Sequence, residues 1–211
     1  TFWETGGGQL ADWGCHLLDA LYFAYDLPAP EAVLTHTIKP PTAAHAAHCQ
    51  STITYPGGGG KFGREKFVVH YNDSAQQPSF AALGLPPMKV GANHTMVVCE
   101  EGTLLLQADG RTHIFRKGKV VEDEPMPNVG RRNHWTDWVD NCLGDKKPLW
   151  TPFQIGVRIT EPALLSVKAT KFPGQELRWD GQSHRFTNHE KANEVLLKRN
   201  YRHGFEPPEV A

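Results

Sequence analysis

The sequence has few cysteines, no long apolar run and almost no net charge. Its 211 residues include four cysteines and carry a formal charge of -1. Cys15, Cys49, Cys99 and Cys142 lie far apart with no C-x-x-C pair, which argues against a zinc ribbon, a redox dithiol or a dense disulfide framework. No stretch approaches the ~18 apolar residues of a membrane span. The near-neutral charge gives no electrostatic reason to expect nucleic acid as a partner.

Two further features are missing. The chain begins at Thr1 without an initiator methionine or a signal-like segment, so we expect a piece of a longer protein or a processed form. No G-x-G-x-x-G follows a strand pattern, so no dinucleotide-binding half is expected within these residues. His45, His48 and Cys49 have metal-like spacing, but no second ligand pair stands nearby in the sequence. No metal site is predicted.

What the sequence does contain is a central group of strand patterns between helical patterns. Helical spacing of apolar residues is found over 9–25, 133–143, 152–171 and 188–199. Alternating patterns are found over 32–38, 49–55, 65–71, 96–100, 103–107, 112–115, 119–121 and 176–179. These patterns predict one α+β domain over residues 1–211, with an open, mainly antiparallel sheet that has helices on one face. An antiparallel sheet can leave its other face to a partner, so we expect a homo-oligomer through that face.

The first helical segment follows Gly6-Gly7-Gly8 and has polar groups along one side. At 3.6 residues per turn, Asp12, His16 and Asp19 fall within roughly 60° of one another. Asp12 can reach His16 one turn on, and a carboxylate beside an imidazole orients it and raises its basicity, as a general base requires. The alternative is an ordinary solvated helix face. Two features favour the catalytic interpretation: the glycines let backbone approach a ligand closely, and the flank of the polar side is aromatic and apolar at Cys15, Tyr22 and Phe23.

Three segments of the sequence resemble one enzyme family. GGGQLADWGCHLLDALYFAYDLPAPEAV resembles the start of the C-terminal domain in the Gfo/Idh/MocA oxidoreductase family, whose pattern is GG-x-L-x-D-x-x-x-H-x-x-D. ELRWDGQSHRFTNHEKANEVLLKRNYRHGF resembles the tail of sugar-associated bacterial members, and HWTDWVDNCLGDKKP is similar to a helix of the family. The resemblance spans nearly the whole chain.

The resemblance implies an α+β domain that is joined to an N-terminal NAD(P)-binding Rossmann domain, which is missing from this chain and would bind most of the cofactor. It implies that His16 is the acid/base for a substrate hydroxyl oxidised at carbon, with Asp12 as its partner and Asp19 holding substrate. The family's E-K-P motif, whose lysine shares the catalytic work, belongs to the missing domain. The chain is therefore expected to hold half an active site.

Other candidates for substrate binding depend on position alone. Arg131, Arg132 and His134 stand just before or at a helix N-terminus, where polar groups often meet the oxygens of a ligand; solvated surface is the alternative. Trp3 could stack on a sugar ring, although a core tryptophan is the commoner role. Tyr71 ends a strand before a long loop and could reach the site.

The sequence thus predicts the substrate-binding and catalytic half of an NAD(P)-dependent oxidoreductase that acts on a sugar, polyol or keto-sugar. Two alternatives stay open. One is an NAD-dependent glycosidase or eliminase that uses a transient oxidation, for which the same base and acids would serve. The other is a non-catalytic oligomerisation or binding module of the same fold.

Overall fold

Helices at both ends of the chain enclose two groups of strands. A computed structural model describes residues 2–3, 5–57, 66–73, 77–121, 130, 132–197 and 201–206. The helices are α1 (Gly8–Tyr25), α2 (His134–Cys142), α3 (Phe153–Ala169) and the short α4 (Glu190–Ala192), which continues as a π-helical turn over Asn193–Leu197. The strands are β1 (Ala32–Lys39), β2 (Ala47–Pro56), β3 (Lys66–Asn72), β4 (His94–Val98), β5 (Thr103–Gln107), β6 (Thr112–Arg116), β7 (Lys119–Val121), β8 (Glu176–Asp180) and β9 (Arg185–Phe186). The predicted α+β class is confirmed.

The larger sheet has the strand order β3-β2-β1-β8-β9, with antiparallel pairing between neighbours. Side chains alternate between the two faces of a strand, and Val33, Ile53 and Leu177 on the inner face are fully buried. They share one core with the apolar sides of α1 and α3. A Cβ added at Gly14 of α1 would lie 2.6 Å from the Cβ of Ala163 in α3. The two helices therefore cross closely because position 14 has no side chain.

The opposite face of this sheet has no helix that packs on it in the described part of the chain, in agreement with the expected open face. Its side chains include the exposed His36, Ile38, Gln50, Val68 and His70. His36 is the cross-strand partner of Gln50. Polar and apolar side chains are mixed there, so the open face is not the large apolar surface that would favour association by burial alone.

The remaining strands form a second sheet with the order β4-β5-β6-β7. It has a small core of its own, in which Leu85, Leu105 and Phe115 are buried. It is joined to α1 by the Thr95 hydroxyl, which donates a hydrogen bond of 2.7 Å to the Leu17 carbonyl. The expected single sheet is thus corrected to two. Alternating patterns and tight turns specify hairpin neighbours, but they do not specify whether successive hairpins extend one sheet or start another.

The last helix differs from its prediction. The helix expected over 188–199 is a single α-helical turn and a π-helical turn that ends at Leu197, and residues 198–200 lie outside the described residues. Asn188, just before this helix, accepts a hydrogen bond from the Arg178 amide and donates one to the Glu176 carbonyl, which ties the helix start to β8. No helix in the described ranges is long and apolar enough to cross a bilayer.

Candidate functional site

The structure places the three predicted polar residues together on the outer side of α1. Asp12 and His16 are exposed and Asp19 is half-buried. The opposite side of the same helix carries Leu10 and Leu18, which are 3% and 2% exposed. The helix therefore presents Asp12, His16 and Asp19 outward because its apolar side is held against α3 and the larger sheet. We refer to these three residues as the α1 stripe.

The charged neighbour of His16 on this stripe is Asp19. Burial raises the pKa of the Asp19 carboxyl above its ordinary value, and the positive charge that His16 can carry opposes part of that rise. The Trp13 ring packs against His16, with ring centroids 5.4 Å apart. Among the described residues, no hydrogen bond or ion pair joins Asp12 to His16. The expected Asp12–His16 contact is therefore not made in this structure, and the roles of the two residues stay a prediction.

Tyr71 lies in the core behind α1. It is 6% exposed, and its hydroxyl donates a hydrogen bond of 2.8 Å to the carbonyl of Leu10. Burial raises the pKa of the Tyr71 phenol, and nearby negative charge, including that of Asp12, raises it further. Tyr71 thus attaches β3 to the first turn of α1. A substrate contact for Tyr71 stays a prediction, and it would require the hydroxyl to leave the Leu10 carbonyl.

The glycines before α1 pack against a histidine. Gly8 has φ of 68°, and a Cβ there would lie 2.7 Å from the His45 Cγ. The His45 Nε2 lies 2.6 Å from the Gly6 carbonyl oxygen. The expected close approach of these glycines is therefore made to His45 and not to open space for a ligand. The sequence did not predict this contact, because His45 lies far from the glycines along the chain.

This packing also tests whether the start of α1 fits a dinucleotide. A pyrophosphate binds where open backbone N–H groups face it at the N-terminus of a helix. Here a cavity of about 10 Å³ remains, lined by residues that include Gly7, Gly8 and His45. That space is about the volume one water needs. The N-terminus of α1 does not fit the pyrophosphate of NAD(P).

Arg132 lies beyond the C-terminal end of the α1 stripe. Phe23, four residues after Asp19, is on the same side of the helix, and its ring centroid is 6.2 Å from that of Trp150. The Arg132 guanidinium lies over the Trp150 ring at 5.7 Å and donates to the Asp137 carboxylate at 2.7 Å. Phe23 and Trp150 are 65% and 46% exposed. The sequence did not indicate Trp150, because no local period relates residue 150 to α1.

The other predicted substrate-binding residues are not brought to the stripe. His134 is exposed at the first turn of α2, with its ring 4.8 Å from that of Trp135. Trp3 lies before α1, where its ring contacts that of His45 at 4.7 Å and the Lys171 ammonium at 4.1 Å. Arg131 lies outside the described residues. Nor do the described residues include a group of three or more histidine, cysteine or acidic side chains placed to hold a metal ion.

Comparisons with known proteins give a weak structural similarity. No protein-family model matches the chain, and no curated protein is similar to it. Among solved structures, it is similar to UDP-N-acetylglucosamine 3-dehydrogenase GnnA from Acidithiobacillus ferrooxidans, with 13% identity and a TM-score of 0.45. The similarity covers 76% of this chain and 46% of that one, so the chain spans less than half of that protein's length. A similarity at this level assigns neither a family nor a function.

Proposed function

We propose that residues 1–211 form the substrate-binding and catalytic half of an NAD(P)-dependent oxidoreductase that acts on a sugar, polyol or keto-sugar. In this proposal NAD(P) is bound mainly by a separate Rossmann domain, and the poor fit of the start of α1 to a pyrophosphate supports it. The observation that carries the proposal is the α1 stripe, where an exposed imidazole stands next to a half-buried carboxyl on one side of a firmly packed helix. General acid/base catalysis requires a titratable side chain at a position that substrate can reach.

The proposed chemistry of this chain is proton transfer. Oxidising an alcohol to a carbonyl removes the hydroxyl proton and a hydride from the carbon. We assign only the proton to this chain: a neutral His16 nitrogen accepts it from a hydroxyl at a hydrogen-bond distance of roughly 2.6–3.2 Å. Asp12, one turn before, supports the imidazolium that forms. Asp19 holds a neighbouring substrate hydroxyl by accepting its hydrogen bond.

The aromatic rings beyond Asp19 support a ring-shaped substrate. Phe23 and Trp150 are large, exposed apolar surfaces at one end of the stripe, and such surfaces commonly mark ligand or partner contacts. Arg132 next to them supplies hydrogen-bond donors. We propose that this end of the stripe binds the part of the substrate that is not oxidised.

The experiment uses the protein in which this chain is joined to its cofactor-binding domain. His16→Ala should lower kcat by about 10²–10⁴-fold, because general acid/base groups contribute that much. Asp12→Asn should give a smaller loss with a shifted pH–rate profile, and Asp19→Asn should act mainly on KM.

The matched control is His203→Ala, which removes a fully exposed histidine near the C-terminus and should leave kcat unchanged. A second control is calorimetry on residues 1–211 alone, which should detect no binding of NAD(H). If α1 is only a solvated face, all three stripe variants will keep wild-type activity. Full activity in His16→Ala would remove the catalytic assignment.

We also propose that the chain forms a homo-oligomer through the open face of the larger sheet. Support comes from the exposed Ile38 and Val68 on that face, whose burial by a second copy would be favourable. Sedimentation of the wild-type protein should give an oligomer at micromolar concentration, and Val68→Lys should weaken it. A wild-type monomer under those conditions would contradict the proposal.

A further inference from the structure

We propose that the cavity beside Trp3 is a second ligand site, separate from the α1 stripe, and that it binds a sugar ring that carries a carboxylate or phosphate group. The cavity has a volume of about 410 Å³ and is lined by Phe2, Trp3, Thr5, Thr42, Ala43 and Lys171. Binding pockets for small molecules have volumes of about 300–1,000 Å³ and combine apolar walls with a few polar groups. This cavity has both properties.

The walls of the cavity are fixed by contacts between distant parts of the chain. The Trp3 amide donates a hydrogen bond of 2.9 Å to the Ala43 carbonyl, and Phe2 pairs with Ala44 in an isolated β-bridge. The Trp3 ring also contacts the ring of His45. The segment that precedes α1 therefore contacts the 42–45 loop without a bound ligand. Such preorganisation lowers the ordering cost of binding.

Among the described residues that line the cavity, Lys171 supplies the charged group. The Lys171 Nζ lies 4.1 Å from the centre of the Trp3 ring, and no carboxylate in the described part of the chain forms an ion pair with it. The ring holds the ammonium by a cation–π contact but does not neutralise its charge. An anionic group on the ligand would supply the missing counter-charge.

The apolar and hydroxyl groups indicate the rest of the ligand. Phe2 is 63% exposed and offers its ring to the C–H face of a sugar. Thr42 uses its amide in a bond to the Ala44 carbonyl, and its hydroxyl has no hydrogen-bond partner within the described ranges. The geometry therefore provides a cation, an aromatic ring and a hydroxyl, which suits an acidic or phosphorylated sugar.

This site is distinct from the one assigned to catalysis. Asp12, His16 and Asp19 do not line the cavity. The site can therefore be tested on residues 1–211 without a cofactor-binding domain, and its outcome is independent of the proposed oxidoreductase activity.

The test is calorimetric titration of the 211-residue chain with D-glucuronate and D-glucose 6-phosphate. D-Glucose is the uncharged comparison, and acetate and inorganic phosphate are the comparisons without a ring. We expect the two acidic sugars to bind more tightly than any of the three comparisons. Lys171→Gln should weaken acidic-sugar binding by about 10-fold or more, since a charge-assisted hydrogen bond is lost. Phe2→Ala, at an exposed position, should weaken all sugars and leave the fold intact by circular dichroism.

Lys119→Gln on β7 is the matched control, because it removes an exposed lysine from the second sheet. Lys119→Gln should bind acidic sugars as the wild type does. The proposal is overturned if neither acidic sugar binds, if glucose or the ring-free anions bind as tightly, or if Lys171→Gln binds them unchanged.

Discussion

Helices α1 and α2 come from the same kind of sequence pattern and have opposite surroundings. Both have a stripe of apolar residues at helical spacing. In α1 that stripe is buried, and Leu18 is 2% exposed. In α2 it is solvent-exposed, with Trp135 and Trp138 74% and 61% exposed. No residue of α2 is buried.

The polar sides of the two helices also have different surroundings. In α1 the polar side, with Asp12 and His16, is exposed. In α2 the polar side turns toward its own flanking loops: Asp137 accepts a hydrogen bond from Arg132, and the Asn141 amide donates to the carbonyls of Asp145 and Lys147. An apolar period therefore identifies which side of a helix can be buried, but not whether the described chain supplies something to bury it against.

The largest expected difference between the helices is in the loss of apolar side chains. Leu18→Ala in α1 should lower the free energy of unfolding by about 2–5 kcal/mol, because it leaves a cavity in the core. Trp138→Ala in α2 should change it by no more than about 0.5 kcal/mol, since the ring is mostly in solvent. Urea denaturation of both variants measures the two changes in the free energy of unfolding. Equal losses would mean that α2 is packed against other parts of the protein in solution and that the two helices do not differ in burial.

A smaller effect is expected from adding a methyl group where α1 crosses α3. Gly14→Ala should be destabilising by about 1–3 kcal/mol, because its Cβ would overlap that of Ala163 and the helices would have to separate. Gly156→Ala is the matched control in α3, since no heavy atom lies within 4 Å of a Cβ at that position. The control should be stabilising by up to about 1 kcal/mol, as expected for Gly to Ala in an open helix. Thermal melts that show a stabilised Gly14→Ala would refute the close crossing.

The smallest expected effect concerns Asp19 and pH. Its pKa is raised in the folded protein, so the folded state binds more protons than the unfolded state between the unfolded and folded pKa values. Stability should therefore decrease as the pH rises through that interval, which begins near the ordinary value of 3.8. Asp19→Asn should remove this slope and be slightly more stable than wild type at neutral pH. The free energy of unfolding can be measured from denaturation curves at a series of pH values from about 3 upward, where aspartates titrate. An unchanged slope in Asp19→Asn would mean that other groups cause it.

The sequence predicted more of the fold than of the candidate site. The strand and helix positions follow from local periodicity and turn residues, so most of the predicted segments match the observed elements to within a few residues. The outward position of Asp12, His16 and Asp19 follows from helical geometry alone. The division of the strands into two sheets did not follow, because alternating patterns do not specify distant partners.

Contacts between distant segments account for the rest of the site. Residues 6–8 and His45 are brought together by the 42–45 loop, and Trp150 meets Phe23 across more than half of the chain length. Tyr71 lies at the predicted end of a strand, but its hydroxyl donates a hydrogen bond to the Leu10 carbonyl, which the sequence did not indicate. None of these pairs has a periodic relation in the sequence, so only the folded chain identifies them.

By itself, the sequence determined the α+β class, the positions of the elements and the side of α1 on which the polar residues lie. Each of these depends on interactions between residues a few positions apart, which repeat with the period of the helix or the strand. The tertiary structure decided which apolar stripe is buried, that Asp12 is not hydrogen-bonded to His16, and that an ammonium group lies over Trp3. These outcomes depend on packing between segments that are far apart in the chain, where the free energy of burial and the geometry of neighbouring elements select the contacts.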